Sequence, residues 1–299
     1  MRIRIISAIG IVVLAVMWAM ISRAMSASAE TGTWTTKSSI SFARYLAPAA
    51  VVNDVLYTAG GWNGCTPYNV VQAYDPITDS WTPRASMVTA RGQYGLAELN
   101  GLLYAVGGAV GCGAGTANVE AYDPIANTWS PVTPLPSAQT GHAVAAANGK
   151  LYSFGGAYGG IVGTAYEYDP LTNSWAARAP MPTARHGAAA VVVNGIIYVI
   201  GGGGNSGAVS TVEAFDPVAN TWTTKASMST GRPYVGASVL DGSIFAIGGQ
   251  GSCSSFDSVE VYDPATDAWS VGTPMPTPRY AFGAATLNGS IYVVAGYTQ

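Results

Sequence analysis

The chain has 299 residues, with 13 Lys+Arg against 16 Asp+Glu, 37 Gly, 17 Tyr and 8 Trp, and only 10 % of its residues are charged. Low charge with this much aromatic bulk excludes a disordered chain and suits a β-rich protein with many tight turns. A formal net charge of −3 leaves no basic face able to neutralise a run of phosphates, which excludes nucleic acid as a partner.

The first thirty residues read as an export segment. Arg2 and Arg4 precede an apolar run from Ile5 to Ile21, and the small residues Ala27, Ser28 and Ala29 follow, in the three-part order of a secretory signal. Residues 1–29 are therefore expected to be a signal peptide cleaved after Ala29, with an uncleaved membrane anchor as the alternative. Removing Arg2, Arg4 and Arg23 leaves ten basic against sixteen acidic residues, a net charge of −6. The expected location is secreted, periplasmic or cell-surface, with membrane contact only if the segment is retained.

From residue 31 onward one unit repeats. Trp34, Trp81, Trp129, Trp175, Trp222 and Trp269 follow one another at intervals of 46 to 48 residues. Each unit runs through an apolar stretch such as "AAAVVV", an Asn-Gly or Asn-Asp turn, a stretch such as "IIYVIGG", a variable loop, "VEAFDP", a short turn and the Trp. These are four short strands, here lettered a to d. Asn100-Gly101, Asn148-Gly149, Asn194-Gly195 and Asn288-Gly289 supply the positive φ values of a two-residue hairpin turn between a and b. Asp-Pro pairs at 75–76, 123–124, 169–170, 216–217 and 263–264 predict type I turns between c and d. No 3.6-residue apolar period is evident after residue 31, so the fold class is all-β.

Together these features resemble the kelch repeat over residues 34–297. They are a double Gly closing strand b (60–61, 107–108, 155–156, 201–202, 248–249), a Tyr or Phe three positions before it, a Tyr/Phe-Asp pair, and a Trp 19–21 residues after the second Gly. The resemblance implies four-stranded antiparallel blades of a β-propeller over residues 31–299, closed into a ring because one blade cannot bury both faces alone. Six blades are expected with the last incomplete: after Trp269 the chain supplies strands a and b, strand c is missing, and Trp34 is expected to lie in the outermost strand of that blade. Truncation of a six-bladed chain is the expected cause of the missing strand, with a longer seven-bladed parent as the alternative.

Residues that recur in every blade are expected to be scaffold, so the "ExYDP" carboxylates, including Glu120, Glu167, Glu213 and Glu260, read as structural. In propellers of the resembling family the b–c and d–a loops share one face. Arg44, Arg91, Arg185, Arg232 and Arg279 each stand nine residues before the a–b turn, with Gln139 in the sixth place, and are expected around one channel mouth with Tyr45, Tyr94, Tyr234, Tyr280, His142 and His186. Two readings are open for the arginines: hydrogen bonding to nearby backbone carbonyls, or a ring that binds anionic groups. Kelch-type copper oxidases build a site from His and Tyr, but two histidines are a weak ligand set, and no metal or other cofactor is expected. Glu98, the one carboxylate inside a strand a, admits comparison with the six-bladed sialic acid epimerases; its place near the strand end favours simple exposure. Cys65, Cys112 and Cys253 each follow the second Gly of a blade by four residues, and Cys65 with Cys112 is the one pair on adjacent blades. The expectation is a non-catalytic binding module for a protein or glycan ligand, anionic groups favoured. A carbohydrate-active enzyme and a structural envelope or adhesion component are the alternatives.

Overall fold

The computed structural model describes residues 32–111, 113–252 and 254–298, together with the backbone of residues 10–15. No helix occurs among the described residues. Five blades are each written by one contiguous repeat. They comprise Ala49–Val52, Val55–Ala59, Val71–Asp75 and Ser80–Arg84; Gly95–Leu99, Leu102–Val106, Val119–Asp123 and Thr128–Val132; Ala143–Ala147, Lys150–Phe154, Ala165–Asp169 and Ser174–Arg178; Ala189–Val193, Ile196–Ile200, Val212–Asp216 and Thr221–Lys225; and Gly236–Leu240, Ser243–Ile247, Val259–Asp263 and Ala268–Gly272.

A further four-stranded sheet is composite. Its order is Thr33–Ser39, Gly10–Ala15, Ser290–Val294, Gly283–Leu287. The expectation of six blades, the last lacking its third strand, is corrected here: the described residues form five blades, and beside them stands the composite sheet, whose third strand is Gly10–Ala15. Thr33–Ser39 is the outermost strand of this sheet, where the tryptophan spacing places it.

The local turns follow from their residues. Asn100, Asn148, Asn194, Asp241 and Asn288 have φ between 49° and 53°, each followed by a Gly at positive φ. Asp75, Asp123, Asp169, Asp216 and Asp263 each accept the N–H two residues ahead at 2.8–2.9 Å, which holds the c–d turn. The "ExYDP" aspartates are thus turn caps.

Blades are joined at the rim by tryptophan. Trp81, Trp129, Trp175, Trp222 and Trp269 each donate Nε1–H to a carbonyl at or just beyond the end of the outermost strand of the preceding sheet, namely Ser38, Ala85, Thr133, Ala179 and Ala226. Trp34 does the same to Thr273 at 2.9 Å, which brings the circle back to its start. Beside each Trp, the last c–d turn residue reaches across the same seam. Asn127 Oδ1 accepts the Ala85 N–H at 2.9 Å and the Tyr122 hydroxyl at 2.7 Å, and Asp79, Asn173 and Asp267 repeat both bonds. Between the sheets the second residue of strand b is fully buried in each blade, as Leu56, Leu103, Leu151, Ile197, Ile244 and Ile291. Each such side chain contributes about 1.5–3 kcal/mol by leaving water.

The double glycine has a steric cause. At Gly60, Gly155 and Gly248, with φ of 55–65°, a Cβ would lie 2.4–2.5 Å from the carbonyl oxygen of the next blade's arginine. Only a residue without Cβ fits there at that φ.

Asn127 combines a two-way acceptor with a φ of 54°. Asn127→Ala should lower stability by about 1–3 kcal/mol, and Asn127→Gly, which keeps the backbone freedom, should lose less. Urea midpoints of the two variants measure the difference; a silent Asn127→Ala would refute this role at the seam.

Candidate functional site

The loop from strand d to the next strand a makes the channel mouth, and its first fixed point is the arginine or Gln139. The backbone carbonyl of this residue accepts the second Gly N–H of the preceding blade: Gly61 to Arg91, Gly108 to Gln139, Gly156 to Arg185, Gly202 to Arg232, Gly249 to Arg279, and Gly296 to Arg44. Two residues further on stand Leu46, Gln93, Gly141, Gly187, Tyr234 and Ala281, all with φ of 53–62°. Their backbones form a closed circle in which each N–H meets the carbonyl of the preceding member: Gln93 to Leu46, Gly141 to Gln93, Gly187 to Gly141, Tyr234 to Gly187, Ala281 to Tyr234 and Leu46 to Ala281, at 2.6–3.3 Å.

Five arginine side chains are brought to this level, and they turn into the blade walls. Arg44, Arg91, Arg185, Arg232 and Arg279 are between 0 and 3 % exposed. Nη2 of Arg91 pairs with Glu120; Arg185 meets Glu213 at 3.0 Å and Arg232 meets Glu260 at 2.6 Å. Arg44 meets Gln72 Oε1 at 3.3 Å. Nη1 groups donate to strand-end carbonyls: Arg91 to Gly107 and Asn118, Arg232 to Gly248 and Ser258, Arg279 to Ala295. Burial pulls the Arg44 and Arg279 guanidinium groups down to about 10, which leaves them charged at neutral pH. The reading of a guanidinium ring open to anions is corrected by this geometry: the carbonyl-bonding alternative describes these side chains, with a strand-c carboxylate added for Arg91, Arg185 and Arg232.

Glu120 is the clearest case of that carboxylate's duty. It accepts the Val88 and Thr89 N–H groups as well as the arginine, and so ties the d–a loop to strand c. Where Gln139 replaces arginine, the pattern changes with it. Gln139 bonds Ser153 and Thr164, the register position that Glu120 takes elsewhere is Tyr166, and Glu167 stands one residue along, on the other face of the strand, where it holds Lys150, Tyr152 and Arg178.

The remaining candidates divide in two. Tyr94 is buried with its hydroxyl donating to the Ala59 carbonyl at 2.7 Å, and burial raises its pKa. His142 is also buried, packed against Gly107. Its ring nitrogens make no well-formed side-chain hydrogen bond, and burial, opposed weakly by the backbone at Val106, lowers it to about 4. Both side chains line a cavity of about 120 Å³ under the circle, with Gln93, Tyr234, Val235 and Phe282 among its other walls. Gln93 Nε2 donates to the Tyr234 hydroxyl at 3.3 Å across the mouth. No carboxylate, Lys or Arg is among the lining residues.

The structure brings the other four candidates together at the surface. His186 meets Tyr234 at 5.7 Å between ring centroids, and Tyr234 meets Tyr280 at 6.3 Å. Tyr280 meets Tyr297 at 5.5 Å, and Tyr297 meets Tyr45 at 5.8 Å. These five rings make a continuous arc around one side of the mouth. Tyr297 escapes the sequence reading because strand b ends there in Ala295-Gly296. The repeat register still carries a signal, since the residue after the second Gly, Trp62 in the first blade, bridges back to the mouth as Tyr297 does to Tyr280. Glu98 takes no part; its carboxylate accepts the Gly101 N–H at 2.8 Å and caps its own turn. Among the described residues no group of three or more His, Cys, Asp or Glu is placed to hold a metal. Cys65 is exposed, and Cys112 and Cys253 lie outside the described residues.

Two outcomes follow from these side chains. Arg232→Met leaves the buried Glu260 with only the Ser229 N–H and should cost about 3–5 kcal/mol; adding Glu260→Leu should return part of that in urea unfolding. Unchanged stability of Arg232→Met would overturn the wall-tie assignment. His142 is held below its unfolded value of about 6.5, so the unfolded chain binds the extra proton between pH 6.5 and 4. Stability therefore falls as pH drops through that window, by an amount of the order of 3 kcal/mol. His142→Gln should flatten this part of the pH–stability profile, and an identical slope in the variant would contradict the assignment.

Comparison with known proteins agrees with this architecture. Residues 93–296 match the family described as KLHDC2/KLHL20/DRC7 Kelch-repeats domain, and residues 43–88 match the Kelch motif. No curated protein matches the chain. Among solved structures, the one titled "Structure of YjhT" is similar with a TM-score of 0.76 at 20 % identity, over 86 % of this chain and 92 % of that one, a likeness of fold.

Proposed function

Because the chain belongs to the kelch-repeat family, whose domains generally bind proteins, we propose that it is a non-catalytic interaction module that takes an extended segment of a partner protein across the aromatic arc at its channel mouth. The observation that carries this reading is the run His186, Tyr234, Tyr280, Tyr297, Tyr45, ring against ring at 5.5–6.3 Å. Tyrosine supplies large rigid contact area at low entropic cost and a polar tip for hydrogen bonding, the combination that dominates binding hot spots. With the arginines engaged in the blade walls, an uncharged segment rich in Pro or aromatic residues suits this surface better than an anionic one. The N-terminal sequence supports export, so the module acts outside the cytoplasm, secreted or at the cell surface.

Titration of the full chain with Pro- and aromatic-rich peptides, neutral oligosaccharides and acidic sugars tests this directly. The expected result is saturable binding of an uncharged peptide, weakened at least tenfold in Tyr280→Ala/Tyr297→Ala with urea stability within about 1 kcal/mol of the parent. A preference for acidic sugars, or binding indifferent to both tyrosines, would refute the reading; binding of neutral oligosaccharides alone would make the ligand a glycan.

A further inference from the structure

All six members of the backbone circle are walls of the cavity beneath it, and so is the residue that follows each of them. The cavity therefore stands on the channel axis, reached by every d–a loop at once. Its volume is about 120 Å³. An apolar cavity of about 150 Å³ holds a benzene ring, so this one suits a single branched aliphatic side chain. The tier below the circle is mostly hydrocarbon: Ala47, Ala188, Val235 and Phe282, with the Tyr94 and His142 rings. The Tyr94 hydroxyl is engaged by the Ala59 carbonyl, and burial lowers His142 to about 4, so that the wall carries no charge at neutral pH.

The circle itself is filled unevenly. Gly141 and Gly187 take the left-handed conformation without strain, as glycine does wherever a positive φ is required. Gln93 and Tyr234 take it with side chains, each at φ 53°, an arrangement that costs backbone energy and collects at ligand sites. They are the second and fifth of the six members, on opposite sides of the channel. Gln93 Nε2 donates to the Tyr234 hydroxyl across the mouth at 3.3 Å, longer than a well-formed hydrogen bond. Tyr234 also stands in the aromatic arc between His186 and Tyr280, so one residue joins the arc to the cavity.

We propose that the axial cavity is the anchor socket for one leucine or valine side chain of the segment that crosses the arc, and that the Gln93–Tyr234 bond is the latch that parts to admit it. An aliphatic side chain gains by leaving water there, whereas a charged one would lose its hydration against a wall that offers no partner. The main-chain circle stays closed throughout, because only side chains move. For the identity of its occupant the inference rests on the reading of the mouth as a site for an uncharged peptide segment; the cavity and its latch stand apart from that reading.

The probe is N-acetyl-leucinamide, titrated into the full chain beside N-acetyl-glycinamide. It is too short to lie along the arc and reports on the socket alone, while the peptide titration above reports on the arc, so either can fail without the other. The leucine amide should bind saturably at roughly millimolar concentration and about tenfold more tightly than the glycine amide. Intermolecular NOEs should place its methyl groups against the rings of Phe282 and Tyr94. Ala188→Leu, which fills the cavity, should abolish saturable binding, and Gln93→Ala, which removes the latch, should tighten it because the closed state no longer competes. If Ala188→Leu does not fold, the NOEs decide alone. Absence of saturable binding to chain shown to be folded, equal binding of the two amides, or NOEs to Tyr280 and Tyr297 instead would each overturn the proposal. So would undiminished binding by folded Ala188→Leu, or binding by Gln93→Ala no tighter than the parent's.

Discussion

Six backbone hydrogen bonds that close on themselves around the channel set the geometry of everything outside them. Each requires a residue in the left-handed region, so each d–a loop must reverse at one defined residue before strand a begins. A strand leaving such a reversal has its direction fixed, and six equal reversals fix the angle between neighbouring sheets. Two further layers repeat the closure: the Gly N–H on the carbonyl of the arginine or Gln139, and the indole N–H on the preceding blade's carbonyl; within three blades a carboxylate on the guanidinium ties the d–a loop to strand c. None of these ties can be improved alone, because each shares a residue or a strand with the one inside it.

The circle also explains why the mouth can carry function. Its bonds use main-chain atoms only, and the six members are as different as Leu46, Gln93, Gly141, Gly187, Tyr234 and Ala281. Side chains at these positions and at the residue before them carry little structural duty, so Tyr45, His186, Tyr234 and Tyr280 are available for contact with a ligand. The arginines stand in the opposite situation. A guanidinium buried among strand-end carbonyls satisfies groups that would otherwise be orphaned, and its removal would cost several bonds at once. Charge that looks like a ligand site in one dimension is thereby consumed by the scaffold.

Much of this was legible in the chain itself. Tryptophan spacing gives the repeat and the place of Trp34, and the Asn-Gly and Asp-Pro pairs give the turns, because both signals depend on local backbone chemistry. The inward turn of the arginines was harder to read, since the partner carboxylates lie 28–29 residues away on another strand. A trace existed nonetheless: the Glu sits three residues before the turn Asp in the blades of Arg91, Arg185 and Arg232, and two before it, at Glu167, in the blade of Gln139. That single-residue shift is the sequence image of a side chain changing faces. The pairing of Gly10–Ala15 left no such trace, because six apolar residues satisfy an export segment and a central strand equally well. The aromatic arc was half visible, with Tyr297 hidden by the altered glycine pair before it.

The central claim, that closure of the inner circle holds the blades as one unit, is tested most directly by amide hydrogen exchange of the full chain at its six members. The account predicts that the N–H groups of Leu46, Gln93, Gly141, Gly187, Tyr234 and Ala281 exchange together, at rates set by global unfolding. Exchange of Leu46 and Ala281 by local opening, orders of magnitude ahead of the other four, would show that the circle is open at the composite sheet and would contradict it.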